Sequence, residues 1–336
     1  MKNIAIFFGG TTVEHDISCI TGVMTLHSID RELFNPIPIY ISKDGIWYTG
    51  KDLFEIENFK KLKVENLYRV SLKEGDNKLL LIKKKRIKEL GSIYSAINCM
   101  HGLRGEDGSL AGLLNFYSIP LASPNLISSG IAIDKDITKK TLKGIGVKTL
   151  PCKVLKSEND ILTVKDKLKY PVIIKPATLG SSIGIETAKN KEEFLTSSHS
   201  AFRYDSKIIV EPKLENIMEI NCSAYQDECG NVVVSECERP ISKDEILSFN
   251  DKYNNGEREF PAKIDIDISD KIKEITKKVY LELDYSGIIR IDFFVKDKEV
   301  FVNEINSVPG SLAYYLFTPS LKEFSKILTS IIMKAV

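Results

Sequence analysis

Two short runs in the last fifth of the chain concentrate groups that could do chemistry. "RIDFF" carries Arg290 and Asp292, and "NEIN" carries Glu304 and Asn306, all set among Ile, Phe and Val. Burying an unpaired charge is expensive, so acids in apolar runs need partners. Side chains alternate faces along a strand. Arg290 and Asp292 therefore share a face, as do Glu304 and Asn306. The intervening "KDK" reads as a hairpin turn centred on Lys298, which sets Asp292 opposite Glu304 and Arg290 opposite Asn306. Like charges directly across a hairpin repel, so this pairing calls for a cation between them. Carboxylates with an amide oxygen are hard ligands suited to Mg²⁺, which combines few protein ligands with phosphate oxygens. The plainer alternative is a solvated strand face with chance acids. Ile291, Phe293, Val302 and Ile305 weigh against it.

Such a metal implies a grip on phosphate. The chain has no Gly-x-x-x-x-Gly-Lys-Ser/Thr loop, so a P-loop is excluded. It does contain "IIKPATLGSSIGI". There Lys175 ends a buried strand, and Gly180, Ser181, Ser182 and Gly184 form a loop of small donors able to wrap phosphate oxygens. Lys135, at a helix start in "AIDKDITK", is a second cation. Taken alone, a Gly/Ser turn is more often only a turn. With an acidic hairpin nearby in the chemistry, the combination is specific.

These groups need elements to hold them. "NIAIFF" reads as a buried strand stopped by Gly9 and Gly10, followed by helical spacing in "ISCITGVMTLHSI" and a strand in "FNPIPIYIS". A third strand falls in "SAINCMHG". Strand, helix, strand order predicts an open α/β sheet. The charged stretch over residues 49–92 reads as a peripheral elaboration of that first domain. Further on, "DKDITKKTLKGIG" is a helix, "KEEFLTSSHSAF" a second and "KIIVEPKL" a strand. "SDKIKEITKKVYLEL" places Ile272, Ile275, Val279 and Leu283 on one helical face, and a final helix starts near Leu321. The polar run from Ile241 to Phe260 is long and unpatterned, as lids over active sites are.

Composition narrows the class. The 336 residues are 43% hydrophobic, with 47 basic against 46 acidic side chains and a formal net charge of +1. This balance offers no electrostatic case for nucleic acid or an anionic membrane. No apolar run reaches the roughly 18 residues of a membrane span. "MKNIAIFFGG" lacks the pattern of a signal peptide, so a cytoplasmic location is expected. The six cysteines form no Cys-x-x-Cys pair, and packing as small hydrophobes is the simplest reading for them.

Read together, "FFGGTTVEHDIS", "HGLRGEDG", "AIDKDITKKTL", "PVIIKPATLGSSIGI", "IIVEPKL", "DKY" and "NEINSVPG" resemble, in order and over nearly the whole chain, the D-alanine–D-alanine ligases of the ATP-grasp superfamily. The resemblance implies an α/β fold: a Rossmann-like open-sheet N-terminal domain (1–123), a central ATP-grasp subdomain (124–211), and a C-terminal one (212–336) with a mobile flap at about 241–260. It implies ATP-dependent joining of two D-alanines through an acyl phosphate, for peptidoglycan precursor synthesis. ATP is then the cosubstrate, with two Mg²⁺ ions (Mn²⁺ as the alternative) on Asp292, Glu304 and Asn306. Lys135, Lys175, Ser182 and Lys252 correspond to phosphate contacts, Glu211, Pro212 and Leu214 to the adenine hinge, and Glu219 to the ribose acid. Pro212 departs from the common residue but keeps the carbonyl such a hinge uses. Glu14 corresponds to the acid that holds the first ammonium; as a bare sequence feature it is a helix N-terminal acid. Ser181 and Tyr253 correspond to its ties to the loop and flap, and Arg290 with the Gly310 N–H to oxyanion donors. His101 falls in a substrate-side turn, although a lone histidine is more often structural. A homodimer is expected on the same basis.

The acceptor site is where the pattern departs. In the family a Ser-Leu pair after Pro-Gly holds the second carboxylate. Here "SLAYYLF" runs about one residue longer and brings Tyr315 and Leu316 to that place, with Ser311 as a substitute donor. An acceptor other than D-alanine (D-serine, D-lactate or another amino acid) is thus the main rival reading. The flap histidine associated with D-lactate is missing. A nucleotide-binding protein without catalysis is a weaker rival, because every metal and phosphate residue remains. A dinucleotide oxidoreductase is disfavoured, since "FFGGTTVEH" lacks Gly-x-Gly-x-x-Gly.

Overall fold

The structure, a computed structural model, describes residues 1–83, 86–241 and 257–336. Lys252 and Tyr253, with most of the expected flap, lie outside the described residues. β1 (Lys2–Gly9) runs fully buried through Ile4–Phe8 and pairs in parallel with β2 (Phe34–Ile41) on one side. Such an unbroken apolar run suits a strand covered on both faces. Between them, α1 (His15–Ser28) lies against β1. Gly22 permits the approach, because a Cβ there would sit 2.3 Å from the Phe8 ring.

The sheet is not open. From β2 the ladder continues antiparallel through β3 (Trp47–Thr49), β4 (Tyr68–Leu72) and β5 (Lys78–Lys83) to β6 (Arg86–Asn98). The far half of β6 then pairs in parallel with β1, closing the sheet into a barrel. The 49–92 stretch is therefore integral rather than peripheral. Leu53, Leu67, Val70, Leu79 and Leu81 are buried beneath its charges. Flanking lysines and the unbroken apolar run Leu79–Ile82 concealed this alternation. α2 (Ser109–Phe116) and α3 (Leu126–Ile133) follow.

α4 (Lys135–Gly144) opens the middle region, with the Asp134 carboxylate accepting from the Asp136 and Ile137 amides. That N-cap fixes where Lys135 emerges. β7 (Lys153–Leu155), α5 (Glu158–Val164), β8 (Val172–Pro176), β9 (Glu186–Ala188), α6 (Lys191–Ala201) and β10 (Ile208–Pro212) complete it, in an antiparallel sheet ordered β7-β10-β8-β9. A third sheet, ordered β12-β11-β15-β16, comprises β11 (Met218–Gln226), β12 (Val232–Val234), β15 (Ile288–Lys296) and β16 (Glu299–Asn306). β13 (Arg239–Ile241) and β14 (Glu257–Glu259) pair with each other. α7 (Ile266–Glu282) covers the third sheet with Ile272 and Val279, as its spacing requires.

The last helix, α8 (Leu321–Ala335), joins a different core. Its Phe324, Leu328, Ile331 and Ile332 pack in one cluster with Ile4, Phe8 and Leu26 of β1 and α1. The polypeptide thus returns to its first unit.

Candidate functional site

The β15–β16 hairpin is closed by the two residues Asp297 and Lys298, with φ of +49° and +63°. Both central residues left-handed is the type I′ pattern that suits strand twist. The turn is therefore centred between these residues and not on Lys298. That alone would place Asp292 opposite Asn303. Instead the register shifts after Phe293↔Val302, and Asp292 faces Glu304 with Arg290 facing Asn306. Asn303 is a bulge, and the expected pairing arises from a different turn plus one extra residue.

On this face the Asp292 carboxylate already has a cation. Arg290 donates to it through Nε (2.7 Å) and a second guanidinium nitrogen (2.9 Å). The arginine at i−2 thus supplies part of the cation that this pairing calls for. A bidentate arginine uses one lone pair on each oxygen, so Asp292 retains capacity. The Asn306 amide has a buried side-chain nitrogen without a hydrogen-bond partner. Turning that amide about its terminal torsion presents an oxygen there. Two carboxylates and one such amide form an all-oxygen donor set fitting Mg²⁺ or Mn²⁺.

The loop after β8 is anchored at its root. Asp205 accepts from the Thr178 amide (2.8 Å) and hydroxyl (2.9 Å), and Lys135 Nζ donates to the Leu179 carbonyl (2.6 Å). Ser181 and Ser182 sit at positive φ (+52°, +60°), a conformation uncommon outside glycine. This turns the Ser181 hydroxyl onto Glu14 Oε1, to which it donates. Glu14 is buried at the head of α1. Gly102 lies close to its second oxygen, where a Cβ would come within 2.4 Å.

Behind the loop is a cavity of about 900 Å³. Lys135, Lys175, Ser182, Glu211, Pro212, Leu214 and Glu219 line it, together with Asn303 and Glu304. The nucleotide-contact residues expected from sequence, Lys252 aside, thus converge on one space. The Glu211 side chain, however, is not available to an adenine. Its oxygens lie 2.5 Å from Lys139 Nζ and 2.7 Å from Lys175 Nζ.

On the other side, Ser311, Leu312 and Ala313 form a left-handed turn with φ near +50°. Three such residues without glycine cost on the order of several kcal/mol. Burial of Leu312, Ala313 and Leu316 offsets this, and the Ser311 amide donates to Thr21 Oγ1 (3.1 Å). The turn brings the Tyr315 phenol near Arg290; burial raises the phenol's pKa and the Arg290 charge works against that rise. The Arg258 guanidinium lies 4.3 Å above the Tyr315 ring and 3.6 Å from the buried Glu238. Leu316 is buried in the protein interior.

His101 is buried, its Nε2 hydrogen-bonded with the Thr21 hydroxyl (3.0 Å). Burial first, and the Arg290 charge after it, lower its pKa from 6.5 to about 4, against a hydrogen bond with the Val308 backbone. An unfolded histidine takes its proton near 6.5 and the folded one only near 4. Above pH 6.5 both are neutral and nothing is gained or lost. As pH falls from 6.5 towards 4 the unfolded chain binds the proton first, so stability drops. Between pH 6.5 and 5 the expected loss is about 2 kcal/mol. Urea unfolding of the wild type and His101→Gln at pH 7.5 and 5 measures it; an equal pH loss in both proteins would refute this assignment.

Sequence reasoning missed several residues. Asn303 was hidden because strand alternation aims it away from the face of Glu304. Lys139 follows Lys135 by one helical turn, and that spacing was its signal. Glu106, in the "GED" of the early motif, accepts from the Gly102 amide (2.8 Å). Burial, followed by the Glu14 charge, pushes its carboxyl up to about 8. Among the described residues no cluster of three or more His, Cys, Asp or Glu side chains forms a metal site, so the amide of Asn306 completes the set proposed below.

Known proteins share these features. Residues 3–124 match the family model described as D-ala D-ala ligase N-terminus, and residues 142–334 the one described as D-ala D-ala ligase C-terminus. The chain is 39% identical to the D-alanine–D-alanine ligase of Thermosipho melanesiensis, over 99% of this chain and 93% of that protein. It is 31% identical to the D-alanine–D-alanine ligase of Staphylococcus haemolyticus, over 98% and 94%. The crystal structure of D-alanine–D-alanine ligase from Helicobacter pylori superposes with a TM-score of 0.82 at 28% identity, covering 98% of both chains. The VanG D-Ala:D-Ser ligase from Enterococcus faecalis gives 0.85 at 26%, covering 100% and 99%.

Proposed function

We infer the reaction from a premise the matches establish: this chain belongs to the D-alanine–D-alanine ligase family. It is an ATP-dependent ligase with the ATP-grasp fold, and it joins two D-alanines through an acyl phosphate. The observation that carries the site assignment is the convergence of Lys135, Lys175, Ser182, Glu219 and Glu304 on one cavity whose loop is tied through Ser181 to Glu14.

In our reading the carboxylate of the first D-alanine attacks the γ-phosphorus of ATP and ADP leaves. Glu14 holds that substrate's ammonium, being a buried acid with a fixed partner. Lys135, Lys175 and Ser182 hold phosphate oxygens, and Pro212, Leu214 and Glu219 take adenine and ribose. The amine of the second D-alanine then attacks the acyl carbon. Arg290 and the Gly310 N–H stabilise the resulting oxyanion, and phosphate departs with its pair of bonding electrons. Asp292, Glu304 and Asn306 would hold two Mg²⁺ ions, which neutralise charge on the migrating phosphoryl group. Lys252 and Tyr253 are assigned to the same site from sequence alone. We place the working units at 1–123, 124–211 and 212–336. A homodimer and a cytoplasmic place in peptidoglycan precursor synthesis follow from the family.

A second acceptor is favoured by one observation: Tyr315, braced by Arg258, stands where a smaller hydroxyl residue is usual. One assay separates the two readings. ATP, Mg²⁺ and D-alanine are supplied with D-alanine, D-serine, D-lactate or other amino acids in competition, and products are identified by mass spectrometry. D-alanyl-D-alanine is expected to dominate. A dominant mixed product would reassign the acceptor, and ATP binding without any product would end the enzyme reading.

A further inference from the structure

Lys139, Glu211 and Lys175 form a buried triad in the wall of the large cavity. Lys139 and Lys175 are each 7% exposed and Glu211 is 2% exposed. One carboxylate lies between two ammonium groups, at 2.5 and 2.7 Å. Lys139 also donates to the Leu150 carbonyl (3.1 Å), and Lys175 to Asn303 Oδ1 (3.4 Å). Only two of the three side chains border the cavity: Lys175 and Glu211 do, and Lys139 stands behind them.

The charge count is the unusual part. A buried Lys–Glu pair would be self-contained, whereas adding a second desolvated ammonium is costly unless something uses it. Two ammonium groups against one carboxylate leave one net positive charge. We propose that Lys139 is a positioning residue for the nucleotide: by engaging one oxygen of Glu211, it leaves Lys175 with positive charge to offer the polyphosphate. This rests on the reading of Lys175 as a phosphate contact. Without Lys139, Glu211 would neutralise Lys175 in a low-dielectric wall, where screening by water is weak. Consistent with a charged Lys175, burial works to lower its pKa but Glu211 outweighs it, holding the group above the ordinary lysine range.

The test follows net charge. Lys139→Met reduces the triad from one net positive charge to none, and Lys139→Met/Glu211→Gln restores it. Calorimetry with the full chain gives affinities for ADP and for adenosine, which lacks phosphates; steady-state kinetics give KM for ATP and D-alanine. Lys139→Met should weaken ADP and raise the ATP KM roughly tenfold, with adenosine affinity and the D-alanine KM within about twofold. The double variant should recover most of the ADP affinity. A purely structural triad predicts the opposite: the double variant as weak as, or weaker than, the single one, with adenosine affected equally. Thermal melts separate misfolding from this result, and Lys139→Gln serves if the methionine variant does not fold. Lys175→Met is the control for the premise. Unchanged ADP affinity there overturns the phosphate reading and the proposal with it, whereas weakened ADP in Lys175→Met but not in Lys139→Met overturns the role of Lys139 alone.

Discussion

Glu304→Gln should retain the fold and lose roughly a thousandfold in kcat. The glutamate faces Asp292 across the hairpin and borders both the large cavity and a smaller one lined by Glu106, Lys135 and Asn306. Glutamine matches its size and keeps one oxygen, so packing changes little. What it loses is the negative charge with which, in the proposed reading, it would hold a divalent cation. Such a cation on a migrating phosphoryl group is worth several kcal/mol, and each 1.36 kcal/mol is a factor of ten in rate. The expected pattern is a melting temperature within a few degrees of wild type, a collapse of kcat, and partial recovery as Mg²⁺ is raised. Wild-type turnover in a folded Glu304→Gln protein would remove the hairpin from the chemistry.

The second large effect is expected for Arg290→Lys, which keeps the charge and removes the fork. Arg290 grips Asp292 with two nitrogens while its guanidinium also meets the Tyr315 phenol. A lysine ammonium is a point charge that cannot hold a carboxylate bidentately and still reach a third group. Removing one preorganised oxyanion donor costs about a hundredfold or more in kcat. The ATP KM should shift far less, because Arg290 is not among the residues lining the nucleotide cavity. A kcat within about fivefold of wild type would show that Arg290 serves only to balance Asp292.

Much of this arrangement was legible in the residues, and the exceptions have physical causes. Local signals worked where one principle dominates. The apolar run of β1, the helix that starts at Lys135 and the periodicity of α7 each follow from a single local rule. The tie between Ser181 and Glu14 was legible only through family resemblance, since nothing local links positions so far apart. The closed barrel was missed because β4 and β5 are short and flanked by lysines, and the unbroken run Leu79–Ile82 hides which of its residues face inward. The left-handed turn at Ser311–Ala313 has no compositional signature, as leucine and alanine ordinarily avoid positive φ. It exists because its buried side chains and the Thr21 contact over-determine it. The Lys139–Glu211–Lys175 triad was invisible for a further reason: a hinge assignment for Glu211 concerns its backbone, while its side chain had a separate employment.

The bulge at Asn303 bears on how such a site is assembled. In an unbroken strand, neighbouring side chains are held to opposite faces. The extra residue lifts that restriction, and Asn303 and Glu304 both border the nucleotide cavity. Removing Asn303 would leave the Asp297–Lys298 turn to set the pairing by itself, and Glu304 would still meet Asp292. The amide that reaches Lys175 is therefore an insertion laid over a hairpin already in frame. The facing acids and this amide are thus set by separate features of the hairpin, the turn and the bulge.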